Sequence, residues 1–193
     1  MIWAIISGFL IGSIPSADLM GRLRGLELRS SGSGNPGTAN ALRVGGKGLA
    51  AAVLALDLIK GAGAAAAGWG IAGHRAGIAA AIAAIAGQIR NPWYRLRGGK
   101  GLGVAAGTTL VLWPYGLAVI APVIGFAARP LRAAGAALLG LALLLTAAVL
   151  WAAGSWSTAW GIPPDDGLVW YAIGIAVFTA PKLIDSLGRS STD

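Results

Sequence analysis

The chain has 193 residues, 56% of them hydrophobic and only 11% charged, with a formal net charge of +8 and a mean hydropathy of +0.72. That charged share is less than half the roughly 25% of a soluble globular domain, which all but excludes a water-soluble enzyme, and hydrophobicity this high excludes disorder. Cys is absent and His occurs once, which removes disulfides, thiolate metal sites, cysteine nucleophiles and any multi-histidine metal site.

What remains is an all-α polytopic membrane protein, read as a single domain over 1–193. Uncharged runs locate its spans: residues 1–17, 61–74, 76–89, 101–128, 133–164 and 167–181 contain no Asp, Glu, Lys or Arg. A spanning helix needs about 20 mainly apolar residues. The first run is expected to stay as a helix, since it lacks the basic start and small-residue cleavage site of a signal peptide. Gly8 and Gly12 stand four apart in it, a spacing for close helix packing. Asp18 follows at its end, expected at the membrane interface. The second helix is expected over about 49–72, carrying Asp57 and Lys60, and the third over about 76–89, with His74 in the turn between them.

Basic residues concentrate in two connections, one holding Arg22, Arg24, Arg29, Arg43 and Lys47, the other Arg90, Arg95, Arg97 and Lys100. The excess of Lys and Arg in cytoplasmic loops puts both on that face. Proline inside a helix costs about 3 kcal/mol, so Pro114 is expected to end a short helix and residues 115–127 to form another. That break keeps Arg129, Arg132, Lys182 and Arg189 on the cytoplasmic side and the tryptophan-rich 151–166 stretch outside. About seven helices result, two of them short, with an external N-terminus and a cytoplasmic C-terminus. Residues 186–193 read as a polar, frayed tail.

Three clusters carry candidate chemistry. The first is Ser31-Gly32-Ser33-Gly34-Asn35-Pro36-Gly37-Thr38-Ala39-Asn40 followed by Arg43. Its glycines let backbone N–H groups turn toward an anion, and a helix starting after it adds a favourable dipole; a flexible interhelical loop is the plain alternative. The second is Gly98-Gly99-Lys100-Gly101, where a lysine at the mouth of a helix supplies a compact charge for phosphate. Neither is a Walker A loop, because Lys47 and Lys100 precede Gly rather than Ser or Thr. The third is Asp57 with Lys60. Intramembrane charges usually face the bundle interior and pair, and these two stand three apart on one helix.

These motifs, with Gly12-Ser13-Ile14-Pro15 before them, Gly25-Leu26-Glu27-Leu28-Arg29 beside them and Asp57-Leu58-Ile59-Lys60-Gly61 between them, resemble those of the bacterial acyl-phosphate:glycerol-3-phosphate acyltransferases in content and order over residues 12–101. The resemblance implies transfer of an acyl group from acyl phosphate to glycerol 3-phosphate, giving lysophosphatidic acid and phosphate for phospholipid synthesis. It implies no cofactor, metal or nucleic acid, and membrane lipids as surroundings. It places a multi-pass protein in the bacterial inner membrane with its site on the cytoplasmic side. Carried over by match, Ser33, Arg43 and Lys100 are the expected catalytic residues. Gly32, Gly34, Asn35, Gly37, Thr38, Asn40, Gly98, Gly99 and Lys60 are the expected substrate-phosphate contacts, with Asp57 and Lys60 also a structural pair. The match departs from the family at Thr38-Ala39, where the family has Ala-Thr, at Gln88, where it has His, at Arg97, where it has Lys, and at Asn91, where its Pro falls, here one place later at Pro92. It departs again in the C-terminal segment, where Thr179-Ala180 and Leu183–Leu187 keep Ile184 and Leu187 but not the family's polar anchors. A lipid- or phosphate-binding membrane subunit with weak or no turnover is therefore the second reading, and a small transporter or channel, suggested by the intramembrane charges and the break at Pro114, the third.

Overall fold

The computed structural model describes residues 1–127, 132–155 and 165–189. Among these, eight α-helices follow in order: α1 Ile2–Gly12, α2 Ser16–Arg22, α3 Thr38–Ala72, α4 His74–Ile89, α5 Leu102–Leu112, α6 Pro114–Ala127, α7 Arg132–Ala152 and α8 Gly167–Arg189, with one 3-10 turn over Pro92–Tyr94. Counting α1 and α2 as one span broken at Pro15 gives the expected seven. Four spans are long and apolar enough to cross a membrane: Ile2–Arg22, Thr38–Ala72, Ala133–Ala152 and Gly167–Gly188. The chain forms two compact units, Met1–Val111 and Leu112–Asp193.

In the first unit, small residues decide the packing. Gly8 and Gly12 lie against the backbone of Ala80 and Ala84, and Gly87 lies against that of Phe9, so α1 and α4 touch main chain to main chain. Gly61 and Gly107 bring α3 and α5 equally close, Gly61 meeting Val104 and Gly107 meeting Leu58. Without a hydrophobic drive between helices in lipid, such close approach is a main source of attraction. α4 is almost all Ala, Ile and Gly, and 11 of its residues are buried. A second cluster, Ala17, Leu28, Ala41, Leu49, Ala50 and Val53, ties the 23–37 connection to α3.

One expectation changes here. α3 begins at Thr38 rather than near Leu49, so Arg43 and Lys47 are helical; Gly46, at φ +73°, marks a kink inside it, a conformation glycine adopts without steric cost. Asp18, expected at the membrane interface, is 9% exposed, because α2 turns it inward.

In the second unit α6 and α8 both pack on α7. Pro114 opens α6, as its missing N–H and fixed φ favour at a first helical position. Trp113 and Trp151 meet edge to face at 5.7 Å, with Tyr115 stacked on Trp151. The expected frayed tail is helical to Arg189: Leu183 is buried with Ala134 and Ala137, and Leu187, one turn on, packs against the same cluster. Arg129 and most of the tryptophan-rich stretch, residues 156–164, lie outside the described residues.

A Cβ at Gly12 would collide with the Ala84 backbone, whereas one at Gly63 meets nothing within 4 Å. Overpacking of this kind costs about 1–3 kcal/mol, and Gly to Ala on a free helix face gains up to about 1 kcal/mol. Thermal unfolding in detergent is therefore expected to show Gly12→Val with a Tm lowered by several degrees and Gly63→Ala with a Tm unchanged or raised. Equal effects of the two would contradict the packing described.

Candidate functional site

The site grows from the break between α1 and α2. Pro15 cannot continue the helical ladder, and the last carbonyls of a helix need partners from elsewhere. Side chains supply them. Ser13 Oγ donates to Leu10 O at 2.8 Å, Asn91 Nδ2 donates to Ser13 O at 2.7 Å, and Lys60 Nζ donates to Ile14 O at 2.7 Å. Lys60 also donates to Ser16 Oγ at 2.9 Å and Gln88 Oε1 at 2.6 Å, and pairs with Asp57 at 2.9 Å. Its place among the expected phosphate contacts is thus corrected: it is 5% exposed, and its N–H groups are spent inside the bundle.

The same break positions the second connection. Asn91, held on Ser13, also accepts from Trp93 N at 3.1 Å, and Trp93 Nε1 donates to Ser13 Oγ at 3.3 Å. The chain then reverses through Arg95 and Leu96, both at positive φ, and Gly98 N donates back to Ile89 O at 2.9 Å. Gly98 is buried against the Gln88 carbonyl, leaving no room for a side chain. A Cβ at Gly99 would lie 3.0 Å from Pro36 O. The two motif loops therefore touch, backbone to backbone.

The first loop is built around Asn40. Its Oδ1 accepts from Ser33 N at 2.7 Å and Ser33 Oγ at 3.1 Å, while its Nδ2 donates to Leu28 O at 2.7 Å and Ser31 O at 3.0 Å. These bonds fill the amide's capacity, so Asn40 shapes the loop rather than facing an anion, a second correction. Gly32 and Gly34 take positive φ; a Cβ on Gly32 would strike Asn40 Oδ1. Gly37, extended at φ −154°, caps α3, which opens at Thr38. Ser33 is exposed, and Asn35 and Thr38 are half-buried. A further clasp joins the loops: Arg29 Nη2 donates to Arg97 O at 3.0 Å, and its guanidinium lies 3.8 Å over the Tyr94 ring.

Two cations stand at this junction. Arg43 is exposed on the second turn of α3, and Lys100 is half-buried. Burial lowers the Lys100 pKa, and the like charge of Arg43 lowers it further, so the two share one electrostatic neighbourhood. Burial also raises the Tyr94 phenol, helped by the nearby Asp18 carboxylate and opposed by Arg29 and Arg22. Arg90, Arg95 and Arg97 are exposed. His74 lies apart, edge to face with Trp69 at 4.7 Å. Sequence reasoning passed over Asp18 and Tyr94 as site residues; the Ser13-Ile14-Pro15 break was the available signal that something must cap a helix end there.

A protein-family model described as glycerol-3-phosphate acyltransferase matches residues 2–189. The chain belongs to that family. Glycerol-3-phosphate acyltransferases of Maricaulis maris and Rhizobium meliloti are 43% and 40% identical to it, over 83% and 80% of this chain and 71% and 76% of theirs. The Rhodopseudomonas palustris (strain BisB5) protein of the same name is 46% identical over 116 residues, and the chain spans 59% of that relative's length. The fold is that of PlsY (YgiH), an integral membrane glycerol 3-phosphate acyltransferase crystallised in glycerol 3-phosphate and lysophosphatidic acid forms. The glycerol 3-phosphate form superposes with a TM-score of 0.80 at 23% identity, covering 99% of this chain and 92% of that one.

If Arg43 and Lys100 hold one anion, inorganic phosphate binding measured by calorimetry is expected to weaken as pH rises through the lowered Lys100 pKa, short of the usual value of about 10.4. Removing the like charge in Arg43→Gln is expected to move that alkaline limb upward while weakening binding at every pH. An unmoved limb would separate the two cations.

Proposed function

We propose that this chain transfers an acyl group from acyl phosphate to glycerol 3-phosphate, releasing lysophosphatidic acid and phosphate. The observation that supports this is the contact of the two loops at Gly99 and Pro36, with Lys100 within electrostatic reach of Arg43, in a chain whose family match covers residues 2–189. Both substrates bear phosphates. The protein's task is to hold two anions at attack distance and to stabilise charge on the acyl oxygen, the usual routes to acceleration when the donor is already activated.

Arg43 and Lys100 supply the charge. Ser33, its N–H and hydroxyl both donating to Asn40, orders the loop, and the backbone around Gly32, Gly34, Asn35, Gly37 and Thr38 supplies hydrogen bonds at the start of α3, where the helix dipole favours an anion. Gly98 and Gly99 allow the close approach. A glycerol hydroxyl oxygen attacks the acyl carbonyl carbon, the bond from that carbon to the phosphate oxygen breaks, and the hydroxyl proton passes to a substrate phosphate. The chain works as one acyltransferase domain in the bacterial inner membrane, with an external N-terminus, a cytoplasmic C-terminus and its site on the cytoplasmic side. The exposed Arg22, Arg24, Arg90, Arg95 and Arg97 around the site support that orientation.

One observation favours the second reading, a phosphate-binding subunit without turnover: Gln88, whose oxygen is taken by Lys60, stands where the related motif has His. One assay separates the two. Purified protein with palmitoyl phosphate is expected to release phosphate only when glycerol 3-phosphate is added, and Lys100→Ala to reduce the rate by at least about a hundredfold, the scale of losing one preorganised charge contact in a transition state. Saturable glycerol 3-phosphate binding with no product would favour the subunit reading instead.

A further inference from the structure

A small cleft, about 10 Å³ in volume, lies between the α1–α2 break and the two loops, with Asp18, Pro36, Gln88, Asn91, Tyr94 and Gly99 in its wall. Asp18 is 9% exposed, and its Oδ1 has no hydrogen-bond partner among the described residues. Around it, Gln88 Oε1 and Ser16 Oγ accept from Lys60, both amide atoms of Asn91 are bonded, and the Asp18 carboxylate acts on the Tyr94 phenol. Buried polar atoms in folded proteins almost always have partners. An ionised carboxylate can only accept, so the missing partner is a donor.

Charge and size restrict that donor. Arg22 and Arg29 act on Tyr94 beside Asp18, and the Lys60 ammonium bonds Ser16, two residues away, so a further cation is repelled and a neutral hydroxyl fits. The volume holds about one oxygen-sized group and cannot take an acyl carbon with its substituents. Gly99 adjoins Lys100, and Pro36 belongs to the Ser33 loop, so the cleft flanks the place where a phosphate would sit. We propose that Asp18 is a specificity-determining residue, whose free carboxylate oxygen accepts a hydrogen bond from the glycerol hydroxyl that is not acylated. This rests on the acyl-transfer reading above.

The test compares kcat/KM for glycerol 3-phosphate and for the deoxy analogue hydroxypropyl phosphate, which keeps the phosphate and the terminal hydroxyl but lacks the middle one. A site built around a hydroxyl discriminates strongly against its absence, so the unmodified protein is expected to prefer glycerol 3-phosphate by on the order of tenfold to a hundredfold. Asp18→Ala is expected to bring the two acceptors within about threefold by lowering the value for glycerol 3-phosphate alone. Asp18→Asn, close in shape and still able to accept, is expected to keep a reduced preference, and serves if Asp18→Ala does not fold. Equal use of both acceptors by the unmodified protein overturns the proposal. So does an equal loss for both in Asp18→Ala, or an unchanged preference in Asp18→Asn. Transfer to neither acceptor by the unmodified protein overturns the acyl-transfer reading, and the proposal with it.

Discussion

A buried ammonium organises the first unit. Lys60, near the middle of a helix long enough to span the bilayer, meets the Ile14 carbonyl, the Ser16 hydroxyl, the Gln88 amide and the Asp57 carboxylate within 3 Å. An unpaired charge buried in a membrane-spanning bundle is costly, and so is a helix end without partners. Each deficit answers the other. The broken helix offers bare oxygens and the lysine offers donors, so α1, α2, α3 and α4 are locked at one point. Asn91 repeats the arrangement one residue away, on Ser13.

From that lock the rest of the site follows as geometry. Because α4 ends where Gln88 and Asn91 are held, the second loop emerges at a fixed place, and its glycines let it press against Gln88 and Pro36. The first loop is shaped independently by Asn40. Most polar groups buried in this unit thus serve the fold, while Ser33, Arg43 and, in part, Lys100 stay open to solvent. Such a division suits a site that must grip a mobile anion without rearranging.

Much of this was legible in the chain. Runs without charge marked the helices, the Gly8 and Gly12 spacing marked a close contact, and Pro114 marked a break between two helices, because each rests on a local rule of backbone or membrane physics. Lys60 and Asn40 were legible as special, though not in their tasks. Their partners lie up to 46 and 12 residues away, and a polar side chain near a phosphate motif looks the same whether it binds the ligand or the loop that binds it. Asp18 was missed for a related reason: an acid near a helix end reads as a surface residue until a neighbouring turn covers it. The helical course of residues 186–189 depended on Leu187 reaching its packing partners, which are more than 40 residues earlier in the chain.

Substrate binding by this chain requires the two loops to present one anion pocket. A crystal structure of this protein grown with glycerol 3-phosphate tests that most directly. The expected map shows the ligand's phosphate within hydrogen-bonding distance of both the Arg43 guanidinium and Lys100 Nζ, with Lys60 still inside its cage of oxygens. A phosphate bound by Lys60, or Arg43 and Lys100 turned to separate surfaces with no ligand between them, would contradict it.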